Sequence, residues 1–150
     1  KKKAYPINRN TLIPSVCSMP INAGRLSVIF RELKSLPLDK YPNAAAVLLR
    51  VFVELTVDSY IGKKHIAGVS ANSELGKKVE AVAADLESRG IMSKHELLAA
   101  RKMATGQYQT QSVQTFHSYI HNANITPIAR DLRSAWDDIS KFIDSIWREI

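Results

Sequence analysis

Hydrophobic residues recur at helical spacing along most of the chain. The pattern predicts helices over 23–36, 41–62, 73–90, 93–106 and 110–122, and a last helix with Thr126 as its cap and Pro127 in its first turn. The second of these is apolar almost all round, which predicts a position at the centre of the fold. Strand signals are weak by comparison. We therefore predict an all-α protein, a single helical bundle of about five to six helices.

Residues at the ends of these stretches support the helix boundaries. Pro42 stands in the first turn of the second predicted helix and Gly62 at its end, the asymmetry that helices favour. Gly90 is the predicted stop of the third helix. Ser93 and Glu96 have the spacing of a capping box, in which each side chain bonds the other residue's backbone N–H. The helix starts and stops thus agree with the hydrophobic period.

Residues 1–22 lack this periodicity and contain Pro6, Pro14 and Pro20, so we predict an extended basic arm or linker there, followed by a helical bundle domain over 23–150. The net charge of +7 is concentrated near this end. Residues 1–41 hold eight Lys or Arg and two acidic residues, which gives +6, and residues 42–150 hold thirteen and twelve, which gives +1.

A basic segment of this kind is suited to the phosphates of nucleic acid, which it would contact without reading the base sequence. The candidate nucleic-acid-binding residues are Lys1, Lys2, Lys3, Arg9, Arg25, Arg31 and Lys34. The alternative is a solvated linker to an upstream domain. The chain begins without Met, which favours a fragment of a longer protein.

Several classes of protein are disfavoured by composition. No apolar run reaches the roughly 18 to 20 residues that cross a bilayer, so no membrane span is expected. The single cysteine, Cys17, excludes an internal disulfide framework and a cysteine zinc site. Phosphate-binding glycine loops and nucleophile elbows are missing. We expect a reduced, cytoplasmic protein without a cofactor.

Two histidines four residues apart, His117 and His121, lie in the stretch "VQTFHSYIHN" and would share one helix face. A zinc protease would read H-E-x-x-H, whereas this stretch reads H-S-Y-I-H, so no metal site is predicted. Imidazole can move protons near neutral pH, as metal-free ribonucleases require, but residues 114–116 supply no cation. The alternative is that both rings are hydrogen-bonded structural residues.

The second predicted helix carries Arg50, Glu54 and Asp58 in one row at successive i, i+4 positions. Charges on so apolar a helix are expected either to pair with one another or to reach the rim of a cleft. In the cleft interpretation Glu54 orients His117 or His121. In the structural interpretation Glu54 pairs with Arg50.

Three stretches together resemble the HEPN superfamily of compact helical domains. They are "LLRVFVELTVD", "LESRGIMSKHEL", and "FHSYIHN" followed by "LRSAWDDISKFIDSIW", and the resemblance covers residues 42–150. The three stretches are most similar to HEPN-like domains at the C-termini of abortive-infection proteins and ParB-like nuclease proteins. Active ribonucleases of that superfamily carry an arginine four to six residues before the histidine that matches His121, and here Phe116 stands in that region.

The resemblance implies a non-catalytic interaction and dimerisation domain at the C-terminus of a larger bacterial phage-defence or nucleic-acid-processing protein. The family's pairing implies a second copy as a partner, and the start of the chain and its basic arm add an upstream domain and nucleic acid as expected partners. Candidate interface residues are Tyr119, Trp136, Phe142 and Trp147, which could instead fill the core of one copy. The alternatives are a metal-independent ribonuclease that uses His121 with His117, and a nonspecific nucleic-acid-binding module.

Overall fold

The computed structural model describes residues 8–105, 123–124 and 126–150, and within these ranges the chain forms helices and no strand. The helices are α1 (Gly24–Leu33), α2 (Pro42–Lys64), α3 (Leu75–Ser88), α4 (Leu98–Thr105) and α5 (Ala129–Glu149). The predicted all-α bundle is confirmed. The helix predicted over 110–122 lies outside the described residues.

Helix α2 is the central element, as its apolar sequence predicts. It packs against α1, α3 and α5, while α4 packs against α3 and α5. Three aromatic rings join α1, α2 and α5: the ring centroids of Phe30 and Phe52 lie 5.9 Å apart, and that of Trp136 lies 6.5 and 6.1 Å from them. Aromatic pairs at such distances stabilise a core beyond the area that they bury.

The helix ends follow the predicted signals in some places and not in others. Gly90, at φ +70, follows α3, and the amides of Gly90 and Ile91 bond the carbonyls of Glu87 and Leu86, which is the Schellman arrangement. By contrast α2 continues two residues past Gly62 and ends where His65 adopts a left-handed φ of 53°. The predicted stop at Gly62 is therefore wrong, and the left-handed residue is not a glycine.

The capping box of Ser93 and Glu96 is confirmed. The Ser93 amide donates to Glu96 Oε2 at 2.9 Å, and the Glu96 amide donates to Ser93 Oγ at 3.2 Å. It closes a turn that leads into α4, which begins at Leu98. Helix α5 likewise begins later than predicted, at Ala129, with Ile128 in an extended conformation before it.

Residues 8–22, called the strap below, have no helix and pack along the bundle. The Leu12, Ile13 and Cys17 side chains of the strap are buried. The Ile13 amide donates to the Leu33 carbonyl at 3.2 Å, and the Leu38 amide donates to the Asn10 carbonyl at 2.8 Å. The strap is therefore part of the packed domain rather than a solvated connector.

None of the described helices combines the length and the apolar character that a membrane span requires.

Candidate functional site

Several of the predicted site residues lie outside the described residues. They are His117, His121 and the candidate interface residue Tyr119, together with the candidate nucleic-acid-binding residues Lys1, Lys2 and Lys3. The ribonuclease hypothesis therefore stays a prediction.

The charged row on α2 contacts a lysine that the sequence analysis did not single out. Lys78 of α3 is only 1% exposed, and its Nζ lies 2.8 Å from Asp58 Oδ1 and 3.6 Å from Glu54 Oε1. Arg50 Nη2 lies 3.6 Å from the other oxygen of Glu54. The row thus supplies counter-ions to a buried ammonium, in a cluster of two cations and two carboxylates.

The chemistry of this cluster is that of a structural ion pair. The Glu54 and Asp58 side chains are 34% and 29% exposed, although Asp58 Oδ1 itself is buried, while the Lys78 ammonium depends on the two carboxylates for its polar contacts. Among the described residues Glu54 has Arg50 and Lys78 as its charged partners. The pairing interpretation fits these contacts.

A second polar network joins α2, α3 and α5 near the C-terminal end of α2. The Tyr60 hydroxyl donates to Asp85 Oδ2 at 2.6 Å and accepts from Arg89 Nη1 at 2.9 Å, while Arg89 Nη2 lies 3.1 Å from Glu149 Oε2. Burial of the ring, helped by the bond to Asp85 and opposed by Arg89, raises the pKa of Tyr60 to about 12. Tyr60 is therefore a neutral structural donor.

The aromatic residues proposed as interface anchors are buried within one copy. Trp136, Phe142 and Trp147 of α5 all belong to the hydrophobic core. A side chain that is enclosed by its own domain has no surface to offer a second copy. Of the two interpretations of these residues, the core interpretation is the one that their burial supports.

The basic residues divide into two groups. Arg9 in the strap is 7% exposed, and its guanidinium binds both carboxylate oxygens of Asp137, at 2.7 and 3.2 Å. It also donates to the Leu12 carbonyl, and Arg133 donates back to the carbonyl of Arg9. Arg9 thus clamps the strap to α5, and its charge is used inside the fold rather than on a nucleic-acid-binding surface.

The second group lies on α1. Arg25 and Arg31 are exposed, and neither forms an ion pair with a described residue. Lys34, just after α1, is half-buried; its Nζ donates to the Cys17 carbonyl at 2.6 Å and lies 5.3 Å from the centroid of the Phe30 ring. Three of the predicted nucleic-acid-binding residues thus share one helix and its end.

An open groove lies between the strap and the second half of α1. Its volume is about 410 Å³. The lining residues are Ser15, Ser27, Phe30, Arg31, Lys34 and Ser35. Four of them, at 27, 31, 34 and 35, follow the i, i+4, i+7, i+8 spacing of one helix face, so the sequence contained a signal for this row. We call this cavity the α1 groove.

Within the described ranges, no group of three or more His, Cys, Asp or Glu side chains is placed to hold a metal ion. No family model, curated protein or solved structure matches the chain.

Proposed function

We propose that this chain is a helical module that binds the phosphate backbone of nucleic acid through α1, without reading the base sequence. The observation that carries the proposal is the state of the α1 cations. Arg25 and Arg31 are exposed and have no carboxylate partner among the described residues. Guanidinium groups in this state are free to exchange their counter-ions for phosphates.

Several cations elsewhere on the molecule are in a different state. Arg101 of α4 lies 2.6 Å from Glu87 and 3.2 Å from Glu80, both on α3. Arg148 of α5 lies 2.8 Å from Asp144. A carboxylate that already holds a guanidinium competes with a phosphate for it, so these cations are poorer phosphate ligands than those of α1.

The net charge near α1 also supports phosphate binding at this surface. Described residues 8–41 contain five Lys or Arg and two acidic residues, which leaves +3. Nonspecific binding to a polyanion needs such an excess, because its free energy comes largely from the release of condensed counter-ions. We place this proposal ahead of dimerisation because the three described anchor candidates are buried. The HEPN resemblance adds the expectation of a larger bacterial defence or nucleic-acid-processing protein around the module.

The test is fluorescence anisotropy with labelled oligonucleotides of unrelated sequences, between 50 and 200 mM salt. We expect similar affinities for all sequences and a linear fall of the logarithm of affinity with the logarithm of salt concentration. The double variant Arg25→Gln/Arg31→Gln should reduce the magnitude of this slope by about two, since each phosphate contact contributes about one.

The matched control is Lys77→Gln/Lys94→Gln, which removes two positive charges from α3 and from the turn before α4, where both side chains are exposed and neither pairs with a described carboxylate. It should leave most of the slope in place. Affinity that is indifferent to salt would exclude phosphate binding. An equal loss in both double variants would mean that overall charge, rather than the α1 surface, determines binding.

A further inference from the structure

The α1 groove is a concave feature within the surface proposed to bind phosphates, and its lining is rich in hydrogen-bond donors. Arg31 and Lys34 bring two positive charges, and Ser15 and Ser27 bring two hydroxyl donors, while the Ser35 hydroxyl donates to the Arg31 carbonyl. A volume of about 410 Å³ lies in the range of sites that hold a small ligand, of roughly 300 to 1,000 Å³.

The two cations are not needed to offset the negative end of α1. The carbonyls of the last turn already accept hydrogen bonds: Phe30 O from the Lys34 amide, Glu32 O from the Ser35 amide, and Leu33 O from the Ile13 amide of the strap. The carbonyl of Arg31 accepts from Ser35 Oγ at 2.9 Å. With these carbonyls occupied, the charges of Arg31 and Lys34 are available to a ligand.

Lys34 is held in position before any ligand arrives. Its ammonium donates to the Cys17 carbonyl and lies over the Phe30 ring, and the carbonyl takes only one of its three N–H donors. A cation that is already ordered loses less conformational freedom when it binds. Arg31, which is exposed and unpaired among the described residues, can then approach the same ligand from the helix face.

From this donor set we infer that the α1 groove binds a phosphomonoester, the terminal phosphate of a nucleic-acid strand. A phosphomonoester carries about −1.5 to −2 charges at pH 7 and three acceptor oxygens, which matches two cations and the hydroxyls of Ser15 and Ser27. An internal phosphodiester carries a single charge and has a nucleotide on either side. The inference rests on the proposed function, because the terminal phosphate belongs to the strand that α1 binds.

The test compares oligonucleotides of one sequence that carry a 5′-phosphate, a 3′-phosphate or hydroxyl groups at both ends. We expect one of the phosphorylated strands to bind about tenfold more tightly than the hydroxyl-ended strand, which corresponds to about 1.4 kcal/mol. Arg31→Gln should abolish this preference. Arg25→Gln, on the same helix but outside the groove, should lower the affinity for all three strands alike and keep the preference for a phosphorylated end.

A nucleoside monophosphate, titrated directly against the protein and followed by NMR, separates the two proposals. If all three strands bind equally and the monophosphate does not bind, the terminal-phosphate site is wrong and backbone binding stands. If the monophosphate binds at the groove but no strand binds, backbone binding is wrong and the groove accepts free phosphomonoesters instead. If Arg31→Gln keeps the preference for a phosphorylated end, the site lies elsewhere and the inference fails. Thermal unfolding of each variant checks that the fold is retained.

Discussion

Because Lys78 is buried, we predict that removal of Lys78 and removal of its partner Asp58 lower the free energy of unfolding by unequal amounts. At the 2.8 Å that separates Lys78 Nζ from Asp58 Oδ1, two unit charges attract by about 6 kcal/mol at an effective dielectric constant of about 20. Burial of the ammonium opposes this by several kcal/mol. The net stabilisation is therefore small, but loss of the carboxylate would leave a charge that is 1% exposed without its nearest partner.

We expect Asp58→Ala to lower the free energy of unfolding by about 3 kcal/mol, near the lower end for a broken buried pair because Glu54 remains at 3.6 Å. Lys78→Met should cost only about 1 kcal/mol. Methionine keeps much of the buried aliphatic stem, and the Asp58 and Glu54 side chains left behind are 29% and 34% exposed, so water reaches both side chains although Asp58 Oδ1 itself is buried. The double variant should cost less than the sum of the two.

The measurement is urea unfolding at pH 7, followed by far-ultraviolet circular dichroism and extrapolated to zero denaturant. Asp39→Ala is the control, because the Asp39 side chain is 70% exposed and its pair with Arg133, at 3.6 Å, should contribute less than about 1 kcal/mol. Equal losses for Asp58→Ala and Lys78→Met, or a larger loss for Lys78→Met, would refute the reasoning that burial of the ammonium sets the order.

Three further outcomes are expected from the packing. Gly76→Ala should destabilise by about 1–3 kcal/mol, because a Cβ at this position would lie 2.7 Å from the backbone carbonyl oxygen of Ala104, whereas Gly24→Ala, with nothing within 4 Å, should not. Tyr60→Phe should cost about 1–3 kcal/mol. Since the pKa of Tyr60 is raised from 10.0 to about 12, the stability that its neutral hydroxyl contributes is present below pH 10 and lost as the pH rises toward 12. The Tyr60→Phe variant should therefore lose less stability than the parent protein between pH 10 and pH 12. Arg9→Lys should destabilise nearly as much as Arg9→Ala in urea unfolding, because an ammonium cannot reproduce the two-pronged contact with a carboxylate; full stability in the lysine variant would contradict this.

The helices were predictable because their signals are periodic and local. The hydrophobic spacing predicted the fold class and the central position of α2, a glycine predicted the stop at Gly90, and the capping box needs only residues three apart. The strap had no such signal. Its buried side chains, Leu12 and Ile13 among them, belong to no repeating pattern, so only the tertiary structure shows that they are buried.

Isolated charges were harder to interpret for the same reason. Arg9 and Arg31 both stand in a basic N-terminal region, and the sequence assigned both to nucleic-acid binding. What separates them is a distant residue, Asp137, which lies 128 positions along the chain from Arg9. A side chain's partner across the fold is a tertiary fact, whereas a side chain's place on a helix face is a local one.

Lys78 is a case in which the local pattern did hold the answer. It lies three residues after Leu75 and four before Val82, which puts it on the buried face of α3. A lysine on an apolar face requires an opposite charge on the helix that packs there. The row on α2 was predicted to pair within itself or to reach a cleft, and the sequence analysis did not match it with Lys78. Since α2 is central, charges that interrupt the apolar faces of two neighbouring helices could have been matched with each other. Opposite charges that interrupt the hydrophobic period on two helices therefore indicate, from sequence, that those helices pack together.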